Sequence, residues 1–235
     1  MAYELLPHSN AEEWRRALVK RLKKCVNTDI KERGHAVLCL AGGGTPLPLY
    51  EALAKEDIEW SKVTVLPGDD RIVPHDDDAS NFKQLREICA DFEGITVLPI
   101  TSPDGDVEAS LTVALKTLSD LWQPFSAVVL GLGNDMHTAS LFPGAEALKD
   151  GIDMTNPSDA LVVVPNPLPP EAPYPRISLT AARLLRAQKL ILAIKGDAKK
   201  EALQEALQIE DPMQAPVMVI LDNGTAQVEI HWSPS

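Results

Sequence analysis

The stretch AVLCLAGGGTPLPLY, Ala36 to Tyr50, reads as a strand, a glycine turn and a helix in immediate succession. AVLCLA (36–41) is apolar without alternation, which suits a strand buried on both faces of a sheet. Gly42, Gly43 and Gly44 let the backbone turn tightly, and Pro46 fits the first turn of a helix. The same alternation continues outward. KVTVLP (62–67), ITVLPI (95–100), SAVVLGLG (126–133), ALVVVP (160–165), KLILAIKG (189–196) and PVMVILD (216–222) read as further strands. Helical patterns fall at 10–33, from about 46, and at 80–92, 106–122, 180–187 and 197–209. The pattern predicts an α/β fold: a single-domain, mostly parallel, Rossmann-like sheet with helices on both faces. The series never restarts, so residues 1–235 are expected to form one domain. The proline-rich VPNPLPPEAPYPR (164–176) is expected to be an ordered loop across the top of the sheet.

Composition narrows the function classes. At 45% apolar residues the chain can bury a real core, and a net charge of −12 argues against a nucleic-acid partner. It leaves room for a small anionic substrate, because salt screens charges beyond about 8–10 Å. The cysteines Cys25, Cys39 and Cys89 are odd in number and scattered, which predicts reduced thiols and a cytoplasmic location. The polar N-terminal stretch lacks the apolar segment of a signal peptide, and no run approaches the ~18 residues of a membrane span. Oligomeric state is not legible.

In open α/β sheets ligands bind outside the carboxyl ends of the strands. Four polar constellations fall there. The first is Gly42-Gly43-Gly44-Thr45, whose bare N–H groups and helix start suit an anion. It lacks the Gly-Lys-Ser/Thr of a nucleotide loop, and Leu47 replaces the third glycine of a dinucleotide fingerprint. The second is GDDRIVPHDDDASN (68–81), with Asp69, Asp70 and Arg71 at a strand end. Asp76, Asp78, Ser80 and Glu87 echo a calcium loop, but Asn81 replaces its obligatory glycine. Asp78, Ala79 and Ser80 are expected to lead into a capped helix, with Ser80 or Asn81 oriented toward the cleft.

The third constellation is GLGNDMHTASLFPG (131–144). Met136 spoils a dinucleotide reading, whereas Asp135 and His137 can place an oriented imidazole in the cleft. Histidine titrates near pH 6.5, so a neutral ring is available as a general base. No Cys/His spacing supports a metal site. The fourth comprises Arg176 in PRISLT and Lys199 in KGDAKKEAL, the latter a cation in a first helical turn, where the dipole disfavours it unless an anion binds.

AGGGTP, GDDRIVPHDDDASN, GLGNDMHTASLFPG, PRISLT and KGDAKKEAL occur in an order and spacing that resembles the 6-phosphogluconolactonase family, over about residues 10 to 232. The wider group includes glucosamine-6-phosphate deaminases, but Ser140-Leu141-Phe142-Pro143 lacks the glutamate those carry. The resemblance implies hydrolysis of 6-phosphoglucono-1,5-lactone, a small phosphorylated sugar lactone, in the oxidative pentose phosphate pathway, with no cofactor and no metal. It implies that His137 activates water and Asp135 orients it. Gly42, Gly43, Gly44, Thr45, Arg176 and Lys199 would hold the phosphate, with Asp69 and Arg71 near the sugar. A deaminase or isomerase, or a non-catalytic sugar-phosphate sensor, are the alternatives. The resemblance departs at two positions: Asp70 stands where the family usually has Glu, and Met136 where it usually has Gly. The expectation at Met136 is a backbone outside the left-handed region, with the side chain directed into the protein.

Overall fold

The computed structural model describes residues 3–170, 172–223 and 228–234. Along the chain run β1 (Tyr3–Pro7), α1 (Ala11–Arg33), β2 (Ala36–Leu40), α2 (Leu47–Leu53), β3 (Val63–Pro67), β4 (Asp69–Arg71), α3 (Asn81–Ile88), β5 (Thr96–Val97) and α4 (Val107–Asp120). There follow β6 (Ala127–Leu130), α5 (Leu148–Ile152), β7 (Ala160–Val163), β8 (Arg176–Leu179), α6 (Ala181–Leu184), β9 (Leu190–Lys195), α7 (Asp197–Ala206), α8 (Val217–Leu221) and β10 (Val228–Ser233). The main sheet has seven strands in the order β1-β10-β9-β6-β2-β3-β5, every pair parallel. A small antiparallel sheet, β4-β8-β7, lies beside it.

Strand alternation divides the core in two. Leu38 and Leu40 of β2, Val65 of β3 and Ile191 and Ala193 of β9 pack on one face, under Trp14, Leu18 and Leu22 of α1 and Leu49 of α2. Cys39, Leu66, Val128, Leu192 and Ile194 point to the other face, against α4, α7 and α8. Helix α1 starts where Asn10 accepts the Glu13 N–H and stops at left-handed Gly34.

The structure overturns one strand reading and adds detail at three other places. PVMVILD is helix α8 and not a strand. A short apolar run does not distinguish the two by periodicity, and the sheet position beside β9 is taken by β10. ALVVVP contributes β7 to the small sheet rather than to the parallel one. PRISLT is itself a strand, β8, paired with Asp69–Arg71. The edge strands β1 and β10 are additions. In β10 the polar Glu229 and His231 alternate with apolar residues, and Arg21 and Lys189 neutralise Glu229.

Candidate active site

A cleft of about 270 Å³ opens at the carboxyl ends of β2, β6 and β9. Gly42, Gly43, Gly44, Thr45, Asp69, Arg71, His137 and Lys199 all line it, from segments far apart in the chain. The parallel sheet brings them together, since each follows a strand whose end points the same way.

His137 stands on the loop after β6. Its Nδ1 lies 2.5 Å from Asp135 Oδ1, and because a carboxylate only accepts, Nδ1 carries the proton and Nε2 is the free lone pair. Burial alone would raise the Asp135 carboxyl, but the hydrogen bond from His137 outweighs it and holds the group below its ordinary range. The pair fits only over a glycine. A Cβ on Gly133 would come within 2.1 Å of His137 Nδ1 and 2.3 Å of Asp135 Oδ1. Behind the imidazole the Phe142 ring lies at 4.0 Å between centroids, and the Arg176 guanidinium covers that ring at 4.7 Å.

The expectation for Met136 is overturned in its backbone and holds in its side chain. Its φ is 64°, in the left-handed region, while the side chain packs against the core. The Met136 N–H donates to the Gly133 carbonyl at 3.2 Å, and the Gly133 N–H donates to the His137 carbonyl at 2.9 Å, closing a tight loop. The Met136 carbonyl accepts the Val217 N–H at the start of α8. Ala139, at φ 49°, is a second left-handed residue in the same loop. Each costs about 1–2 kcal/mol, and together they flank and aim His137.

Asp69 is held from two sides. Ser140 Oγ donates to Asp69 Oδ2 at 2.5 Å, and Asn81 Nδ2 donates to the Asp69 carbonyl at 2.7 Å. Ser140 is itself fixed, its N–H donating to Ser178 Oγ at 3.2 Å. The neighbouring Asp70 faces away from the cleft. It accepts the N–H groups of Asn81 (2.6 Å), Phe82 (3.0 Å) and Arg71 (2.8 Å), tying β4 to the start of α3. Burial pushes its carboxyl up to about 7 despite those bonds. Ser80 caps α3 through the Lys83 N–H, and Asn81 lines the cleft, as expected. Arg71 also lines it, anchored by a 2.6 Å bond to the Ala79 carbonyl.

The residues expected to hold an anion are placed less uniformly. Gly42 lets Asn81 approach, since a Cβ there would meet Asn81 Oδ1 at 2.1 Å. The Gly43 N–H is not bare, because it donates to Gln84 Oε1 at 3.1 Å. Arg176, expected with them to hold the phosphate, stands apart. It is only 3% exposed, donates to the Ala172 carbonyl and packs against Phe142 outside the cleft lining. Burial lowers the Arg176 guanidinium and the Lys199 ammonium from their ordinary values, opposed by the charges of Asp69 and Asp135 respectively. Lys195, the last residue of β9, lines the cleft although the sequence reading passed over it. Its signal was position alone, at the carboxyl end of a buried strand. Among the described residues no group of three or more His, Cys, Asp or Glu side chains is disposed to hold a metal. No helix among them is long and apolar enough to cross a membrane.

Comparison with known proteins gives consistent matches. Residues 9–232 match the family model described as glucosamine-6-phosphate isomerases/6-phosphogluconolactonase. The 6-phosphogluconolactonase of Rhizobium meliloti is 33% identical over 210 residues, covering 87% of this chain and 88% of that protein. That of Xylella fastidiosa (strain Temecula1) is 32% identical over 229 residues, covering 97% and 95%. Among solved structures, a 6-phosphogluconolactonase from Shewanella baltica superposes with a TM-score of 0.90 at 28% identity, covering 97% of each chain.

Proposed function

The chain belongs to the glucosamine-6-phosphate isomerase/6-phosphogluconolactonase family, and on that premise we propose that it hydrolyses 6-phosphoglucono-1,5-lactone to 6-phosphogluconate. The observation that carries the reading is the Asp135–His137 pair at a cleft that also presents Arg71 and Lys199. An oriented base and an anion site are what hydrolysis of a phosphorylated lactone requires. Asp69 is the one carboxylate lining the cleft among the described residues, and Phe142 lies against the imidazole. A deaminase lacks its acid here.

In this mechanism His137 Nε2 takes a proton from water as the oxygen attacks the lactone carbonyl carbon. Asp135 holds the ring orientation and stabilises the imidazolium. The carbonyl becomes an oxyanion, which Arg71 and backbone N–H groups of the glycine loops receive. Collapse breaks the bond from the carbonyl carbon to the ring oxygen, and the imidazolium returns its proton to that oxygen. The products are a hydroxyl and a carboxylic acid that ionises. Asp69, fixed by Ser140, accepts from sugar hydroxyls. The Gly42–Thr45 loop and Lys199 take the phosphate, with Arg176 contributing its charge from behind Phe142.

Our reading treats residues 1–235 as one domain acting in the cytoplasm, within the oxidative pentose phosphate pathway. The free thiols of Cys25, Cys39 and Cys89 support that location. Freshly generated lactone supplied to purified protein is expected to yield 6-phosphogluconate well above the spontaneous rate. Ammonia release from glucosamine 6-phosphate with no lactone turnover would overturn the assignment.

A further inference from the structure

The phosphate site suggested by sequence is incomplete as built. The Gly43 N–H is taken by Gln84, and Arg176 is buried behind Phe142. The lysines at the cleft therefore matter more than the sequence reading allowed. Lys199 reaches it from α7, which packs through Ala202 and Leu203 on the α4 side of the sheet. Lys195 reaches it from the opposite face. In β9, Ile191 and Ala193 point toward α1 and α2, so Lys195, next in the alternation, emerges on the side of the glycine loop that leads into α2.

The Lys195 side chain is held there without being neutralised. Its Nζ lies 5.7 Å from the centroid of the buried Trp14 ring, whose Nε1 donates to the His231 carbonyl. Among the described residues the Lys195 ammonium has no ion pair or hydrogen-bond partner. The cleft lining thus carries Arg71, Lys195 and Lys199 against the carboxylate of Asp69, with Asp135 beside it on His137 and acting on Lys199, on a chain whose net charge is −12. A cation braced on an aromatic ring, facing a cleft and lacking a counter-ion, is disposed to meet an anionic ligand.

We propose that Lys195 is a substrate-binding residue that contacts the phosphate of the bound lactone from the glycine-loop side, opposite Lys199. The proposal rests on the lactonase reading for the identity of the substrate, but not for the presence of the anion site. The probe is inorganic phosphate, titrated calorimetrically into wild type, Lys195→Met, Lys195→Arg and Lys200→Met. Lys195→Met is expected to weaken phosphate about tenfold and to raise KM for the lactone by a similar factor, with a smaller effect on kcat. Lys195→Arg restores affinity to within about threefold, because it keeps the charge and the stacking. Lys200, whose Nζ lies over Trp232 outside the cleft, is the control, and its Met variant keeps wild-type phosphate affinity.

Phosphate affinity of Lys195→Met within about twofold of wild type overturns the proposal. So does a loss of affinity that Lys195→Arg fails to recover while both variants melt like wild type, since that points to shape rather than charge. Should Lys195→Met unfold, Lys195→Gln is read against the same limits. Failure of the lactonase reading is a separate result: wild type would not turn over the lactone, yet the phosphate titrations would still decide the role of Lys195.

Discussion

Gly133→Ala adds one methyl carbon at the point where the Asp135–His137 pair leaves no room. Gly133 does not adopt a left-handed backbone, so alanine is acceptable in conformation and the perturbation is steric. The added carbon would stand 2.1 Å from His137 Nδ1 and 2.3 Å from Asp135 Oδ1. To reach ordinary van der Waals contact the imidazole must retreat by about 1.3 Å, and a misplacement of about 1 Å costs on the order of 100-fold in rate. That corresponds to about 2.7 kcal/mol in the barrier. The assay is steady-state lactone hydrolysis, corrected for the spontaneous reaction, beside a denaturant melt. We expect kcat to fall about 100-fold while stability changes by less than about 2 kcal/mol. Activity within about threefold of wild type would refute the reasoning, because the pair could not then need its observed geometry.

The loop backbone and the sheet edge supply the remaining tests. At Met136, with φ 64°, a β-branched residue is more strained than methionine, so Met136→Ile should destabilise by about 1–2 kcal/mol in a denaturant titration. Met136→Gly should cost less despite losing the whole side chain, and the reverse order would contradict a left-handed backbone. His231 lies buried beside His8 and Glu229, and burial pushes it down to about 4. The unfolded chain binds its proton near pH 6.5, so its stabilising contribution is complete above that pH and lost as pH falls toward 4, by up to about 3 kcal/mol. Asp70, raised to about 7, titrates in the opposite sense over the same range. The stability difference between wild type and His231→Gln isolates the histidine, and a difference independent of pH would contradict its buried neutral state.

The parallel layers and the cleft of the candidate site were legible because buried strands announce themselves as unbroken apolar runs and ligands gather at their carboxyl ends. What escaped the sequence depended on partners distant in the chain. β10 carries Glu229 and His231, which look like surface residues until Arg21, Lys189 and His8 are brought against them. PVMVILD has the composition of a strand yet forms helix α8, and the place beside β9 is held by β10. Asp70 sits beside Asp69 in sequence yet faces away from the cleft, and only the fold shows that it anchors α3. Gly43 offered an N–H on paper, whereas Gln84, a turn into α3, occupies it. Lys195 was hidden by the ordinariness of a lysine next to a glycine. Its meaning comes from strand alternation and the Trp14 ring beneath it.

The central claim is that His137 Nε2 activates the attacking water, and removing that imidazole tests it most directly. The measurement is kcat/KM of His137→Ala on 6-phosphoglucono-1,5-lactone, after subtraction of spontaneous hydrolysis, with inorganic phosphate binding recorded on the same sample. The account predicts a loss of about 10²–10⁴-fold in kcat/KM with phosphate affinity retained. A variant that hydrolyses the lactone as fast as wild type would contradict it.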